Sequence, residues 1–410
     1  MDYKETLLKS IKIGNLTSQN RILMQSMECS DADTEGNPSD ITFKRYEDIF
    51  KGEGGIVDLE AITVSGECRA RLNELEVLPR NEKPLANFVK GLRAANKNTL
   101  LLFQLTHPGE LASDVYSRRV TVKPLYGVGG ELLSEDDVDK IIDQFVLSAK
   151  IAHDVGADGI DMKLCHGYLG SQILRPFNDR KWKYGGSWEN RSRFAYDLYE
   201  RIQKAVNDKN FLIGSKLSAW EGFPGGCGSA GADSPLMDLT ESLDLAKGLE
   251  ERGAQYIIAS AGATFFTEGL TNAGKNHSFF AYLHMYFANE YKKVLKPETV
   301  VMGSGFSVFR NGRNNGMQAI DPKEGNMLTL GARCIEDGMM DMIGLGRQTF
   351  ADPHVPRKLR EGKENEIKYC TICDHCLELL FEEQPIGCCT YDKKYAQVYA
   401  NMKAKNKEKK

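Results

Sequence analysis

Eight short runs of apolar or β-branched residues recur along this chain, separated by longer stretches with helical periodicity, and this alternation restricts its fold more than any other feature. The runs fall at residues 21–27, 55–62, 100–105, 159–164, 211–218, 256–262, 299–305 and 341–346. Several are apolar almost throughout, as in Leu100-Leu101-Leu102-Phe103, which suits strands covered on both faces of a parallel sheet. Between the third and fourth runs, Ser134 precedes Val138, Ile141, Ile142, Phe145 and Ala149, a single apolar helical stripe. Asp137, three residues after Ser134, completes the pattern of a capping box. Residues 189–206 and 238–251 read as further amphipathic helices. Alternation sustained over about 350 residues predicts an α/β chain closed as a (β/α)8 TIM barrel. A doubly wound open sheet would carry a glycine-rich turn after its first strand, and none is there. Gly127-Val128-Gly129-Gly130 neither follows a strand nor leads into a helix and reads as a loop.

A hydrophobic content of 41% supplies a large core, and a formal net charge of −4 argues against nucleic acid or an anionic membrane surface as partner. No apolar run approaches the roughly 20 residues that span a bilayer. The opening Met1-Asp2-Tyr3-Lys4-Glu5 lacks the features of a signal peptide, so the expectation is a cytoplasmic protein. Of ten cysteines, Cys29, Cys68, Cys165, Cys227 and Cys334 are scattered and are expected to act as small buried hydrophobes. The other five crowd together as Cys370-x2-Cys373-x2-Cys376-x11-Cys388, with Cys389 adjacent. Three thiols at two-residue gaps followed by a distant fourth suit a [4Fe–4S] cluster. A zinc site, with His375 available, and unligated thiols both stay open. The expected organisation is a barrel over residues 1–362, a cysteine-rich segment over 363–395 and a basic, disordered tail over 396–410, lysine-rich from Lys403 to Lys410.

Barrel enzymes place their chemistry at the C-terminal ends of the strands. The residues there are Met27-Glu28, Ala61-Ile62, Gln104 with His107, Lys163 with His166 and Tyr168, Lys216, and the glycines at 303, 305, 344 and 346.

These strand ends resemble the old yellow enzyme family, in the branch that contains bacterial 2,4-dienoyl-CoA reductase and trimethylamine dehydrogenase. The matching stretches run in order from about residue 7 to 392. They are Ile11-Lys12-Ile13-Gly14-Asn15-Leu16, Asn20-Arg21-Ile22-Leu23-Met24, Gln104-Leu105-Thr106-His107-Pro108-Gly109 and His166-Gly167-Tyr168-Leu169. Then come Tyr184-Gly185-Gly186-Ser187-Trp188-Glu189-Asn190-Arg191-Ser192-Arg193-Phe194, Gly344-Leu345-Gly346-Arg347 and Ala351-Asp352-Pro353. The resemblance implies bound FMN, with its phosphate at Gly305, Gly346 and Arg347. It puts Gln104 at the pyrimidine edge of the flavin and Ser26, Met27 and Ala61 beside the ring. Lys216 stands where relatives usually carry an arginine near flavin N1 and O2; it keeps the charge and loses the bidentate fork. Glycines 303 and 344 are expected to serve tight packing.

Relatives reduce an alkene conjugated to a carbonyl, so two donors must face the developing oxyanion and one acid must stand across the alkene. The resemblance gives the donor roles to Lys163, where relatives have histidine, and His166, and the acid role to Tyr168. Residues 220–234 and 263–277, the latter with Phe265 and Phe266, are expected to cover the pocket mouth. The iron–sulfur branch has Cys-x2-Cys-x3-Cys-x11-Cys where this chain is one residue shorter. Larger members continue into FAD and NAD(P) domains, so reductant is expected to reach FMN directly as NAD(P)H or through an electron-donating partner protein. The expected function is FMN-dependent reduction of an enone or enoate, steroid-like compounds included. An amine dehydrogenase or demethylase passing electrons through the cluster is the alternative, and an electron-transfer flavoprotein subunit is a third. A homo-oligomer stays open.

Overall fold

The computed structural model describes residues 2–125, 127–313 and 321–408. Eight strands close into a barrel: β1 (Ile22–Met24), β2 (Ile56–Thr63), β3 (Leu100–Thr106), β4 (Gly159–Leu164), β5 (Leu212–Ser218), β6 (Tyr256–Ser260), β7 (Val300–Gly303) and β8 (Met342–Leu345). Each pairs in parallel with its sequence neighbours, and β8 closes on β1 with Ile343 opposite Ile22 and Leu345 opposite Met24. All residues of β2 to β6 are buried, as their apolar runs anticipate.

The interior is filled by an apolar cluster drawn from every strand except β4, including Leu23, Ile56, Leu102, Leu212, Ile258, Met302 and Met342. Ile13 joins it from an antiparallel hairpin, Ile11–Ile13 with Leu16–Ser18. Two glycines make room there. A Cβ on Gly159 would lie 2.4 Å from the Leu212 carbonyl oxygen, and one on Gly214 would lie 2.5 Å from the Tyr256 ring.

The outer layer contains α1 (Asp40–Lys51), α2 (Glu82–Ala95), α3 (Glu135–Asp154), α4 (Trp188–Val206), α5 (Thr240–Glu251), α6 (Phe280–Val294) and α7 (Met327–Glu336). Helix α3 begins with the anticipated capping box: Ser134 Oγ accepts from the Asp137 N–H at 3.2 Å, and the Ser134 N–H donates to Asp137 Oδ2 at 3.0 Å. Its buried stripe contains all five apolar positions named from the sequence. Phe145 meets Phe194 of α4 edge to face, with ring centroids 6.3 Å apart.

Two expectations change. The first strand stops at Met24 rather than 27, the Gln25 N–H making one further bond to the Leu345 carbonyl at 3.1 Å and its side chain reaching Ser304 Oγ at 2.6 Å. The basic tail forms α9 (Lys393–Glu408), which packs on α8 (His375–Phe381). Tyr395, Val398, Tyr399 and Met402 recur at helical spacing beneath the lysines. The Tyr399 ring stacks on His375 at 4.2 Å, its hydroxyl donates to Glu378 Oε2 at 3.0 Å, and Lys403 pairs with Glu378. Lys409 and Lys410 lie outside the described residues. All ten cysteines are free and the five scattered ones are buried. Among the described residues no helix is long and apolar enough to cross a membrane.

Candidate active site

The C-terminal ends of the strands surround a partly open cavity, with about 1090 Å³ of empty space that includes its open mouth. Ser26, Met27, Gln104, Lys163, His166, Tyr168, Lys216, Gly305, Gly346 and Arg347 all line it, as expected. Ala61 does not: it is buried in β2 opposite Gln104, with its side chain in the wall rather than at the cavity. Gly303 and Gly344 also stay in the wall, where added Cβ atoms would meet Met340 Sδ at 2.4 Å and the Gln25 amide at 2.5 Å.

Glu28 organises one side of the cavity. Lys163 Nζ reaches its Oε1 at 2.5 Å, Arg71 Nη1 reaches its Oε2 at 2.5 Å, and the Tyr168 hydroxyl donates to Oε1. Burial alone would raise the Glu28 carboxyl, but Lys163 and Arg71 hold it well below the usual carboxylate range. Burial likewise opposes the Lys163 charge, and Glu28 more than compensates. Lys163 Nζ also lies 3.4 Å from the Tyr168 ring centroid, a cation–π contact. The Tyr168 phenol is pushed up by burial and then by Glu28, so it keeps its proton throughout the neutral range.

Past the end of β4, His166 adopts φ 61° and Gly167 φ 83°, a left-handed turn that is strained for histidine. His166 Nε2 shares a 2.7 Å hydrogen bond with Ser260 Oγ, and its backbone N–H donates to Ser218 Oγ at 3.0 Å. Burial, then Lys216 and Lys163, drives its pKa far below the ordinary value, so the imidazole is neutral.

Lys216 is buried rather than snorkelling to the surface, and its backbone N–H donates to Asp161 Oδ1 at 2.6 Å. Across the cavity, Gly305 takes φ 87°, and Arg347 bonds Asp374 and the Ala273 carbonyl. His284 of α6 donates Nε2–H to the Leu270 carbonyl at 2.8 Å. Burial lowers its pKa to about 4. Its Nδ1 is therefore a bare acceptor, buried without a partner beside Gly305.

These residues fit FMN. Gly305, Gly346 and Arg347 line the cavity with the backbone and guanidinium groups that suit a phosphate, Gln104 and Lys216 line it with polar side chains, and His284 Nδ1 lacks a donor.

The loops behave differently from expectation. Residues 263–277 contribute Thr264, Thr271, Asn272 and Ala273, whereas nothing from 220–234 reaches the cavity. Phe265 is exposed beside Phe381, and Phe266 packs on Phe223; neither lines the cavity. The cysteine-rich segment, expected as a short extension of the barrel, supplies Cys376, Leu377, Leu380 and Ile386 to the wall.

The four thiols named as cluster ligands lie within electrostatic reach of one another, Cys370 with Cys373 and Cys388, and Cys376 with Cys370 and Cys373. Among the described residues no three His, Cys, Asp or Glu side chains group closely enough to hold a metal ion. Cys370 is buried and its Sγ accepts the Ile372 N–H at 3.4 Å, while Cys373 is exposed beside Thr390. Cys376 lies in the first turn of α8, where it packs with Cys29, Phe350 and Ile386. Cys388 is half-buried. As placed, these side chains do not form a metal-binding group, and a [4Fe–4S] cluster is not supported.

Sequence reasoning named Glu28 only as a neighbour of Met27, although an acid ending an apolar run was a visible signal. Arg71 and His284 carried none, since they arrive from a loop and from α6.

A family model described as NADH:flavin oxidoreductase / NADH oxidase matches residues 6–297. The chain belongs to this family. FMN and a reduced nicotinamide are its cofactors. A NADH oxidase of Thermoanaerobacter brockii is 28% identical over 389 residues, covering 91% of this chain and 54% of that protein. A dimethylamine dehydrogenase of Hyphomicrobium sp. is 26% identical over 406 residues, covering 91% and 48%. The structure of 2-naphthoyl-CoA reductase with 2-naphthoyl-CoA matches with a TM-score of 0.79 at 19% identity, covering 97% of this chain and 58% of that one. The chain spans about half the length of these curated relatives.

Proposed function

We propose that the chain reduces the carbon–carbon double bond of an α,β-unsaturated carbonyl compound, with NAD(P)H or an electron-donating partner as the source of electrons. Bound FMN supplies the two-electron hydride chemistry. The observation that carries this reading is the buried phenol of Tyr168, held by Glu28 beside Lys163 and the neutral His166.

The roles divide as follows. As the alkene is reduced, charge grows on the carbonyl oxygen of the substrate. His166 and Lys163 are the donors that stabilise it, the imidazole tethered by Ser260 and the ammonium by Glu28. Tyr168 holds a proton at its hydroxyl and delivers it to the α-carbon, a centre far more basic than a phenolate. The phenolate left behind lies against the Lys163 ammonium, which offsets its proximity to Glu28. Leu377, Leu380, Ile386 and Phe350 form the apolar wall that keeps water from the reacting atoms.

Two cations, Lys163 and Arg71, face one carboxylate here. That surplus of positive charge favours a developing oxyanion over a cationic amine, which sets this reading above amine oxidation. An electron-transfer subunit would need neither the phenol nor the imidazole.

The test is Tyr168→Phe in stopped flow. Flavin reduction by NAD(P)H is expected to proceed as in the wild type, while reoxidation by an enone slows by about 10²–10⁴-fold, the usual contribution of a general acid. Reoxidation at the wild-type rate sinks the assignment.

A further inference from the structure

Beneath the cavity floor two carboxyl groups touch inside the barrel. Asp58 of β2 and Asp161 of β4 flank Gln104 of β3 and are hydrogen-bonded to each other, with almost no exposure at either. Neither figures in the chemistry above. Two carboxyls in contact cannot both ionise, so the pair holds one proton.

The bonds around the pair show which end keeps it. Asp161 receives the Lys216 backbone N–H on Oδ1 at 2.6 Å and the Gln104 Nε2–H on Oδ2 at 2.6 Å. Asp58 has a long 3.5 Å contact from Gln104 and a bond with Ser26, and its Oδ1 has no partner at all. Asp161 is therefore the carboxylate and Asp58 the acid that donates to it. Burial, followed by Asp161, pushes the Asp58 carboxyl well above the ordinary range, whereas the rise that burial gives Asp161 is opposed by the Gln104 hydrogen bond and the Lys216 charge.

An ionised carboxylate only accepts hydrogen bonds. The end of the Gln104 amide that faces Asp161 must then be the nitrogen. Its second hydrogen goes to Ser26 Oγ at 2.7 Å. Both amide hydrogens are used below the floor, and Oε1 is the polar atom of Gln104 left for the cavity it lines. An amide free to rotate would offer either end.

We propose that Asp161, kept ionised by the proton on Asp58, is a positioning residue that locks the Gln104 amide so that its carbonyl oxygen accepts from the N3–H of the bound flavin. This rests on the flavin reading of the site. It makes Gln104 a reader of a donor at the pyrimidine edge, a group that the flavin ring presents only at N3.

Asparagine at these two positions separates the outcomes. In Asp161→Asn the Lys216 N–H still requires oxygen at the Oδ1 position, so the new amide nitrogen faces Gln104 and forces it to turn over. In Asp58→Asn the side chain still donates to Asp161, and Gln104 stays as it is. The probe is FMN enriched with 15N at N3, bound to each purified variant and read by NMR, with binding affinity measured in parallel. Asp161→Asn is expected to move the N3 resonance in the direction produced by Gln104→Ala and to weaken FMN binding by about 10-fold, one hydrogen bond. The variant carrying both Asp161→Asn and Gln104→Ala is expected to bind no more weakly than Gln104→Ala alone. Asp58→Asn is expected to match the wild type in N3 position. If Asp161→Asn does not fold, Ser26→Ala removes the other acceptor of the amide and is expected to move N3 the same way, to a smaller extent. A wild-type N3 position in Asp161→Asn, or additive affinity losses in the double variant, overturns the positioning role. A wild-type chain that takes up no FMN instead overturns the flavin reading beneath it.

Discussion

Glu74 is a buried side chain whose ionisation opposes the fold. Burial, then the charge of nearby Glu28, pushes its pKa up to about 8 from the ordinary 4.5. Its Oε2 accepts the Ala70 N–H at 2.7 Å, a bond that an amide oxygen makes equally well. The folded chain holds a proton on Glu74 that the unfolded chain releases near pH 4.5, so between these values the native state binds more protons. Its contribution is fully present below about pH 4.5 and is lost as pH rises through about 8. Glu74→Gln removes that dependence. Thermal midpoints of the two proteins are expected to agree near pH 5 and to separate as pH rises, the variant the more stable, with the gap levelling above pH 8. A gap that is constant with pH rules out ionisation of this carboxyl. Glu28 has the opposite sign: its depressed pKa keeps it charged through the neutral range, ready to hold Tyr168 and Lys163.

Among the secondary elements, α3 tests how far local sequence carries the structure. Its capping box, apolar stripe and acidic first turn (Glu135, Asp136, Asp137) all agree with one helix start. Ser134→Ala removes one side of the box and is expected to cost about 1 kcal/mol, seen as a lower urea midpoint with an unchanged slope. A change in slope would mean that the substitution altered more than the cap. The strands were legible for the same reason: burial on both faces demands continuous apolar runs, and β4 spans the very residues the sequence marked. Helix α9 was hidden because lysine dominates its composition, although Tyr395, Val398, Tyr399 and Met402 supply its buried face. A lysine-rich stretch can be a solvated helix face as readily as a tail.

For the molecule as a whole, the cysteine-rich segment is the part whose role changes most. It folds over the mouth of the barrel and contributes to the cavity wall, and Arg347 is tied to it through Asp374. Cys373, exposed and away from the cavity, is expected to be dispensable: Cys373→Ser should leave FMN content and enone-driven reoxidation unchanged. Loss of both, together with iron and acid-labile sulfide present in the wild type and absent in the variant, would restore the cluster reading. The sequence by itself determined the barrel, because eight apolar runs at helix-separated intervals have few ways to bury both faces. It also determined ten of the cavity residues, because strand ends lie on one rim and the motifs mark them. The tertiary structure alone decided the partners. Glu28, Arg71, Lys163 and Tyr168 come from three strand ends or loops far apart in the chain, and Asp58 meets Asp161 only across Gln104. Local pattern carries no information about which charges the closing barrel presses together, and the chemistry of the site is set by those charges.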